Sequence, residues 1–537
     1  MITGPKTCLA IFFVSFVVLL FYFSIDKLPP RARLEWHSSE NPSVVGKWEP
    51  SVPVPLVPVA AAVLGHTGEV LLWSADNPGS FGNQDRTVSA LYNPKTRLVS
   101  SKIVSETGHN MFCPGLSLNV LGDVFVTGGS TFNHTTIYRS ANRSWEAGPG
   151  MTTGRGYHAQ ATLSNGKIFT IGGSWSGGVL DKNGEVFDPT TQTWVSLPGC
   201  RVEPMLTADA RGAFSADNHP WLFAWKNESL FQAGPSTAMN WYGTGNADSL
   251  GSQSPAAFRG HNNDAMNGNA VMYDAGRGKI LTLGGAPSYA YSSGKATVHE
   301  VTISEPFGNV SVEELQPMHA PRAYANSVVL PTGDIFVNGG ATYALQWTDV
   351  NATWYPELWN AKTKRFERLA RMTTPRTYHS VAVLLPDATV LTGGGGLCWE
   401  PCEDIPQWEA GSDHYDVQVF KPPYLFEPNG DTLARRPRIL TVSNTEVALG
   451  DNLITQTDIN VLEFTLIRYS SATHSINTDQ RRIVLEFLPR ASSPKLGWSY
   501  EVKIPLDPGI VVPGYWMLFA ITSEGVPSMA KTLLLRI

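Results

Sequence analysis

Charge is scarce in this chain: 16% of its 537 residues are Asp, Glu, Lys or Arg, and the net charge is −6. The basic residues are scattered singly, so there is no electrostatic stripe of the kind a phosphate backbone attracts, which argues against nucleic acid as a partner. Long helical stretches are also hard to find. Instead, 49 Gly, 38 Pro and 16 Trp in a chain that is 42% hydrophobic describe a turn-rich all-β protein.

Long apolar runs are rare too, with one exception. Cys8 to Phe23 is almost unbroken behind Lys6, and its length lies between a signal-peptide core and a spanning helix. No small-x-small cleavage site follows it, which favours an uncleaved signal anchor over a cleaved peptide within residues 1–30. The positive-inside rule does not decide, because Lys27, Arg31 and Arg33 lie on the side to be translocated. In both cases the bulk of the chain is expected outside the cytosol, secreted or anchored. Five Asn-x-Ser/Thr sequons, at Asn133, Asn142, Asn227, Asn309 and Asn351, agree and predict a glycoprotein.

Cysteine is sparse, with five in all. Cys8 lies in the apolar run. In an oxidising compartment Cys398 and Cys402 are close enough for a local disulfide. They could also bind a metal, but no nearby His or further Cys completes a site. Cys200 has no evident partner, and Cys113 taken alone is a small buried hydrophobe.

What is present is a repeat. An apolar strand followed by Gly-Gly recurs in VFVTGGS ending at Ser130, IFTIGGS at Ser174, ILTLGGA at Ala286, IFVNGGA at Ala341 and TVLTGGGG at Gly396. The pairs lie about 45 to 55 residues apart, the spacing of kelch-like propeller blades. One double interval has WLFAW, Trp221 to Trp225, in its middle, and EVLLWSA adds an N-terminal blade, making seven. After the linker-like KPPYLFEPNGDTLARRP, alternating runs such as LEFTLIRYS and GYWMLFAIT read as a small β-sandwich. The expected architecture is therefore a seven-bladed kelch-type β-propeller over residues 48–434, followed by an immunoglobulin-like β-sandwich over 435–537. The alternative, in which Gly-Gly pairs merely mark hairpins of a sandwich, does not suit the long spacing.

Five strings stand out: NMFCPG (110–115), GRGYH (154–158), GGSWSGG (172–178), RTYHS (376–380) and SATHSINTDQRR (471–482). Together with GPSTAMNWY, NAVMYDA and PGYWMLF they resemble the galactose oxidase family of copper radical oxidases. The resemblance runs from about Val52 to the C-terminus and leaves out the N-terminal carbohydrate-binding module of galactose oxidase itself. It implies one copper ion held by Tyr157, Tyr378, His379 and His474, a thioether between Cys113 and Tyr157, and Trp175 over the cross-linked ring. Two imidazoles and phenolic oxygens suit Cu(II).

In the implied mechanism Tyr378 is the general base and a Tyr157 radical takes a hydrogen atom, so that a primary alcohol becomes an aldehyde while O2 becomes H2O2. Taken singly, each residue has a plainer reading: His474 as a hydrogen-bonded structural histidine and Trp175 as blade packing. Tyr378 and His379 pose a further difficulty. Neighbours on a regular strand point to opposite faces, so the two can share a metal only at a strand end or turn. Supply of His474 from the second domain also requires a sandwich loop to reach the propeller axis.

The expected substrate pocket comprises Phe81, Phe112, Ser215, Ala290, Tyr324 and Trp347. Ser215 and Ala290 align with the arginine and glutamine that hydrogen-bond the sugar in galactose oxidase. Their loss predicts relaxed selectivity for aryl or alkyl alcohols, with weak galactose activity. The alternatives are a strict galactose 6-oxidase, a glyoxal oxidase, or a non-catalytic propeller that binds glycans or proteins. The protein is expected to act as a monomer on a small alcohol and O2.

Overall fold

The computed structural model describes residues 41–537 apart from 180, 246–249, 261–263, 400–410, 429 and 494–496. The run from Cys8 to Phe23, and Cys402, lie outside the described residues. Among the described residues no helix is long and apolar enough to cross a membrane.

Among the described residues seven antiparallel sheets of four or five strands succeed one another between Lys47 and Lys421. The first is built from Ala60–Val63, Val70–Trp73, Thr87–Tyr92 and Val99–Val104. The fourth, starting at Leu222–Ala224, fills the interval in which no Gly-Gly pair occurs. The seventh takes Ser380–Leu384, Val390–Gly394 and Asp416–Lys421 from late in the chain and Lys47–Trp48 from its start, in register Lys47↔Lys421 and Trp48↔Phe420. This exchange between distant segments ties the ends of the ring together. Each innermost strand is almost wholly buried, as the packing of one blade on the next requires.

The Gly-Gly repeat has a physical cause. The second glycine donates its N–H to an arginine carbonyl of the next blade: Gly129 to Arg155 at 2.8 Å, Gly285 to Arg322 at 2.8 Å and Gly340 to Arg376 at 2.7 Å. At Gly339, where φ is +67°, a Cβ would stand 2.0 Å from the Arg376 carbonyl oxygen, so no side chain fits. The three arginines are buried and pair with an acid on the third strand of their own sheets: Arg155 with Glu185 (2.9 Å), Arg322 with Glu357 (2.7 Å) and Arg376 with Asp416 (2.7 Å). Loss of one partner from such a buried pair generally costs about 3–5 kcal/mol. The repeat is thus the contact between blades as well as the turn within one.

Downstream, two sheets face each other. One has the order Ile439–Val442, Asn452–Thr457, Gly497–Lys503, Phe487–Ser493; the other runs Glu446–Ala448, Lys531–Arg536, Gly514–Ile521, Glu463–Arg468, Arg482–Leu485. One apolar cluster contains both sandwich residues, such as Leu466, Leu518 and Trp516, and propeller residues, such as Trp225 and Trp241. The strand Ser471–Thr473 leaves the sandwich and pairs with the innermost strand of the first blade, Ala60↔Thr473 and Ala62↔Ser471. This positions His474 at the propeller's inner end.

Candidate metal centre

Thr478 to Arg482 hold that insertion in place. Asp479 accepts the Leu118 N–H at 3.0 Å and the Ser471 hydroxyl at 2.5 Å, and it pairs with buried Arg468. Thr478 donates to the Gln160 carbonyl at 2.7 Å. Gln480 donates to the Ser327 carbonyl (2.9 Å) and accepts from the Val329 N–H (3.0 Å). Arg481 reaches the Ala224 carbonyl at 2.9 Å, and Arg482 the Pro331 carbonyl at 2.8 Å. The string NTDQRR is therefore a clamp. It satisfies backbone groups of several blades and thereby fixes the loop that carries His474.

Four segments bring the expected ligands together. Cys113 and Tyr157 precede the inner strands Gly115–Leu118 and Ala159–Thr162, and Tyr378 and His379 precede Ser380–Leu384. Cys113, Tyr157, His379 and His474 all have positive φ, at +62°, +63°, +68° and +49°. Non-glycine residues adopt this region at a cost, and such strain concentrates at functional sites. For His379 it removes the difficulty posed by adjacency to Tyr378. The two rings lie 3.8 Å apart on the same side because the chain is not yet a strand there.

The donor atoms converge. The hydroxyls of Tyr157 and Tyr378 are 2.5 Å apart, and the Tyr289 hydroxyl is 2.9 Å from that of Tyr378. The ligand atoms of Cys113, His379 and His474 lie within 4.8 Å of one another, with Cys113 Sγ 3.5 Å from His474 Nε2. Cys113 packs in one buried cluster with Tyr157, which lowers the thiol's pKa against the larger rise from burial, and it is in no disulfide. The Trp175 indole lies over the Tyr157 ring at 4.6 Å, tilted by 35°.

The protonation pattern suits a cation. His379 Nδ1 donates to the Gly396 carbonyl at 2.7 Å, which leaves Nε2 with its lone pair; that atom is buried and has no partner. Thr473 gives its one hydroxyl proton to the Val59 carbonyl at 3.0 Å, so His474 Nδ1, 2.7 Å from the same oxygen, must donate to it. His474 Nε2 is then the free base as well. Burial holds the His379 pKa down near 3, and that of His474 well below the ordinary value. Burial pushes the phenols of Tyr157 and Tyr378 up. Two neutral imidazoles, two phenols and no neutralising carboxylate among the described donors form a set that fits a tetragonal N/O metal such as Cu(II).

Around this centre the pocket residues separate into two layers. Phe81, Ser215 and Trp347 line a cavity of about 200 Å³ together with Tyr157 and Trp175. Phe112, Ala290 and Tyr324 do not line it. Phe112 is fully buried beneath Phe81, stacked at 4.5 Å, and Tyr324 packs behind Tyr378 at 5.0 Å with its hydroxyl donated to the Tyr289 carbonyl. Ala290 is buried next to Tyr289 in sequence.

The cavity and its backing also contain residues that the sequence reading passed over. These are Arg211, Phe214, Asn218, Tyr289, Gln346 and Trp399 on the lining, with His219 stacked on His474 at 5.5 Å and 3.2 Å from the Tyr289 hydroxyl. Their signal in the sequence is weak, because each stands in a loop whose geometry only the ring of blades defines. Cys398 is disulfide-bonded. Cys200 is buried, with its thiol donating to the Gly243 and Ser252 carbonyls and its pKa pushed by burial up to about 12.

Known proteins are similar to this chain. Residues 436–535 match the galactose oxidase-like early set domain, 262–399 the glyoxal oxidase N-terminus and 155–201 the kelch motif. Galactose oxidase of Gibberella zeae is 44% identical over 495 residues, which cover 91% of this chain and 70% of that relative. The aldehyde oxidase GLOX of Vitis pseudoreticulata is 27% identical over 405 residues, 71% of this chain and 72% of its own. A solved structure, described as a novel fungal alcohol oxidase with catalytic diversity among the AA5 family in complex with copper, superposes with a TM-score of 0.85 at 40% identity, covering 92% of this chain and 100% of that one. The fold and centre define a propeller oxidase, and the chain belongs to the galactose oxidase family.

Proposed function

We propose that the protein is a mononuclear copper radical oxidase that converts primary alcohols, aryl or alkyl, to aldehydes while reducing O2 to H2O2. The observation that carries this reading is the convergence of two unprotonated Nε2 atoms, two phenols 2.5 Å apart and a thiol at one of them. His379, His474, Tyr157 and Tyr378 hold the metal, and Cys113 is joined to the Tyr157 ring through a thioether. Copper, when bound, supplies a one-electron acceptor and a Lewis acid beside the phenols.

The chain's own residues do the rest. Tyr378 takes the alcohol's hydroxyl proton, and its oxygen is placed for this by the hydroxyls of Tyr157 and Tyr289, both hydrogen-bonded to it. Tyr157 carries the second oxidising equivalent as a radical delocalised onto the sulfur, and it takes one hydrogen atom from the carbinol carbon. Trp175 covers that ring and keeps it from water. The substrate gives up two protons and two electrons, and O2 receives them as H2O2.

Aromatic walls from Phe81, Trp347 and Trp399 favour aryl and alkyl tails over sugars, with Ser215 one of the neutral polar groups on the wall. The protein works outside the cytosol. All five sequon asparagines are exposed, as glycosylation requires, and Cys398 is oxidised.

Copper-loaded protein and Cys113→Ser are compared on a denaturing gel and assayed for H2O2 with benzyl alcohol, butanol, galactose and methylglyoxal. The wild type should run faster than the variant, and the variant should lose activity by about 10³-fold or more, as when a covalent catalytic group is removed. Equal mobility and equal activity would sink the cross-link. Preference for galactose or methylglyoxal over benzyl alcohol would replace the substrate assignment.

A further inference from the structure

One side chain at the cavity mouth has a charge that the oxidation does not use. Arg211 lines the cavity with Phe81, Phe214, Trp347 and Trp399, and among the described residues no carboxylate lines it. Ser215, Asn218 and Gln346, the other polar side chains that do not belong to the metal centre, are neutral.

Arg211 is exposed and forms no ion pair among the described residues. Its guanidinium donates from Nη1 to Gln346 Oε1 at 3.3 Å, a long bond to a neutral acceptor, and stands 6.0 Å over the Phe214 ring. The nearest acid in sequence is Asp209. Its oxygens are occupied by the backbone N–H groups of Arg211 at 2.8 Å and Tyr289 at 2.6 Å, and burial raises its pKa. Among the described residues Gln346 Oε1 is the one acceptor bonded by the Arg211 guanidinium, which leaves four of its five N–H groups for a ligand in the aromatic-lined cavity. The Gln346 side chain also lowers the pKa of the Tyr378 phenol, so one amide group separates Arg211 from the proposed base. An amide with a polar contact at each end spans roughly 8 Å, close to the length of a benzyl alcohol extended by one carboxyl group.

We propose that Arg211 reads an anionic group at the far end of the substrate, and that the alcohols this pocket takes best are aryl alcohols bearing a carboxylate opposite the hydroxymethyl group. This rests on the assignment of alcohol oxidation to the centre. The guanidinium's planar fork matches a carboxylate bidentately, and the ring between the two groups lies against the aromatic walls. Because Arg211 is exposed, the interaction is screened by salt.

The test compares 4-(hydroxymethyl)benzoate with benzyl alcohol on the copper-loaded full chain, wild type against Arg211→Gln and Arg211→Lys, with 4-methylbenzoate as a non-reacting inhibitor. In the wild type the carboxylate should lower KM about fivefold to tenfold relative to benzyl alcohol with kcat little changed, a margin that shrinks between 0.05 and 0.5 M NaCl. R211Q should abolish the ratio between the two substrates and weaken 4-methylbenzoate inhibition by the same factor, and R211K should retain part of both. A wild-type KM for the carboxylate equal to or above that for benzyl alcohol overturns the proposal, as does an R211Q variant that keeps the wild-type ratio. H2O2 from benzyl alcohol with no carboxylate preference sinks the role of Arg211 alone; no H2O2 from any alcohol sinks the oxidase reading and the proposal with it.

Discussion

Thr473→Val tests whether the centre depends on the tautomer of His474. The threonine hydroxyl donates to the Val59 carbonyl at 3.0 Å and receives His474 Nδ1–H at 2.7 Å, all within a buried site. Valine keeps the shape and removes the oxygen. It leaves a carbonyl and an imidazole N–H without partners, at about 1–3 kcal/mol for each group. It also frees the ring to move its proton to Nε2, the nitrogen that faces the donor set. Outer partners that orient a metal-bound imidazole are worth about 10–100-fold in metal affinity, or about 1.4–2.7 kcal/mol.

Copper affinity is to be measured by competition with a chelator, and the nitrogen coupling by electron paramagnetic resonance. T473V should bind copper at least tenfold more weakly, and Thr473→Ser should come within about threefold of wild type. Unchanged affinity in T473V would falsify the argument that this hydroxyl sets the ligand tautomer.

Two further expectations concern the same neighbourhood. An imidazole of ordinary pKa would be largely protonated at pH 5 and would release about one proton on metal binding there. Here burial holds His379 near pKa 3 and His474 well below its usual value, so both are already neutral, and the protons released come from the raised phenols. Proton release, measured calorimetrically in buffers of different ionisation heat, should therefore stay flat from pH 8 to pH 5; a rise of about two protons toward pH 5 refutes the depressed imidazoles. Gln480→Ala removes the bonds to the Ser327 carbonyl and the Val329 N–H. It should cost about 2–3 kcal/mol in denaturant unfolding and weaken copper binding, whereas a loss below about 0.5 kcal/mol would show that the clamp does not depend on this residue.

Much of the architecture was legible because its signals are local. Gly-Gly after an apolar strand needs only a few residues to be recognised, and it marks five of the sheets, although those at Val70–Trp73 and Leu222–Ala224 lack the pair. The arginines that receive those glycine N–H groups were not recognised as part of the repeat. Their role appears only when one blade lies against the next, as Gly340 does against Arg376. The string SATHSINTDQRR pointed to His474, yet nothing in it announced that Asp479, Gln480 and the two arginines would be spent on backbone groups of three blades.

By itself, the sequence determined the chemistry available: which side chains can bind a cation, and that Ser215 and Ala290 bring no charge to the pocket, while its resemblance to the galactose oxidase family implied that a thiol and an indole accompany Tyr157. Those are properties of residue types and of short strings. Only the tertiary structure decided which atoms meet. Positive φ at Cys113, Tyr157, His379 and His474 turns four side chains from four segments toward one point, and it places Tyr378 and His379 on the same side. The same closure buries Phe112 and Tyr324 behind the wall they were expected to form, and it brings Arg211 and Gln346, 135 residues apart, to the mouth of the cavity. Convergence of this kind depends on loop conformations held by distant packing, and distant packing leaves no periodic trace in the chain.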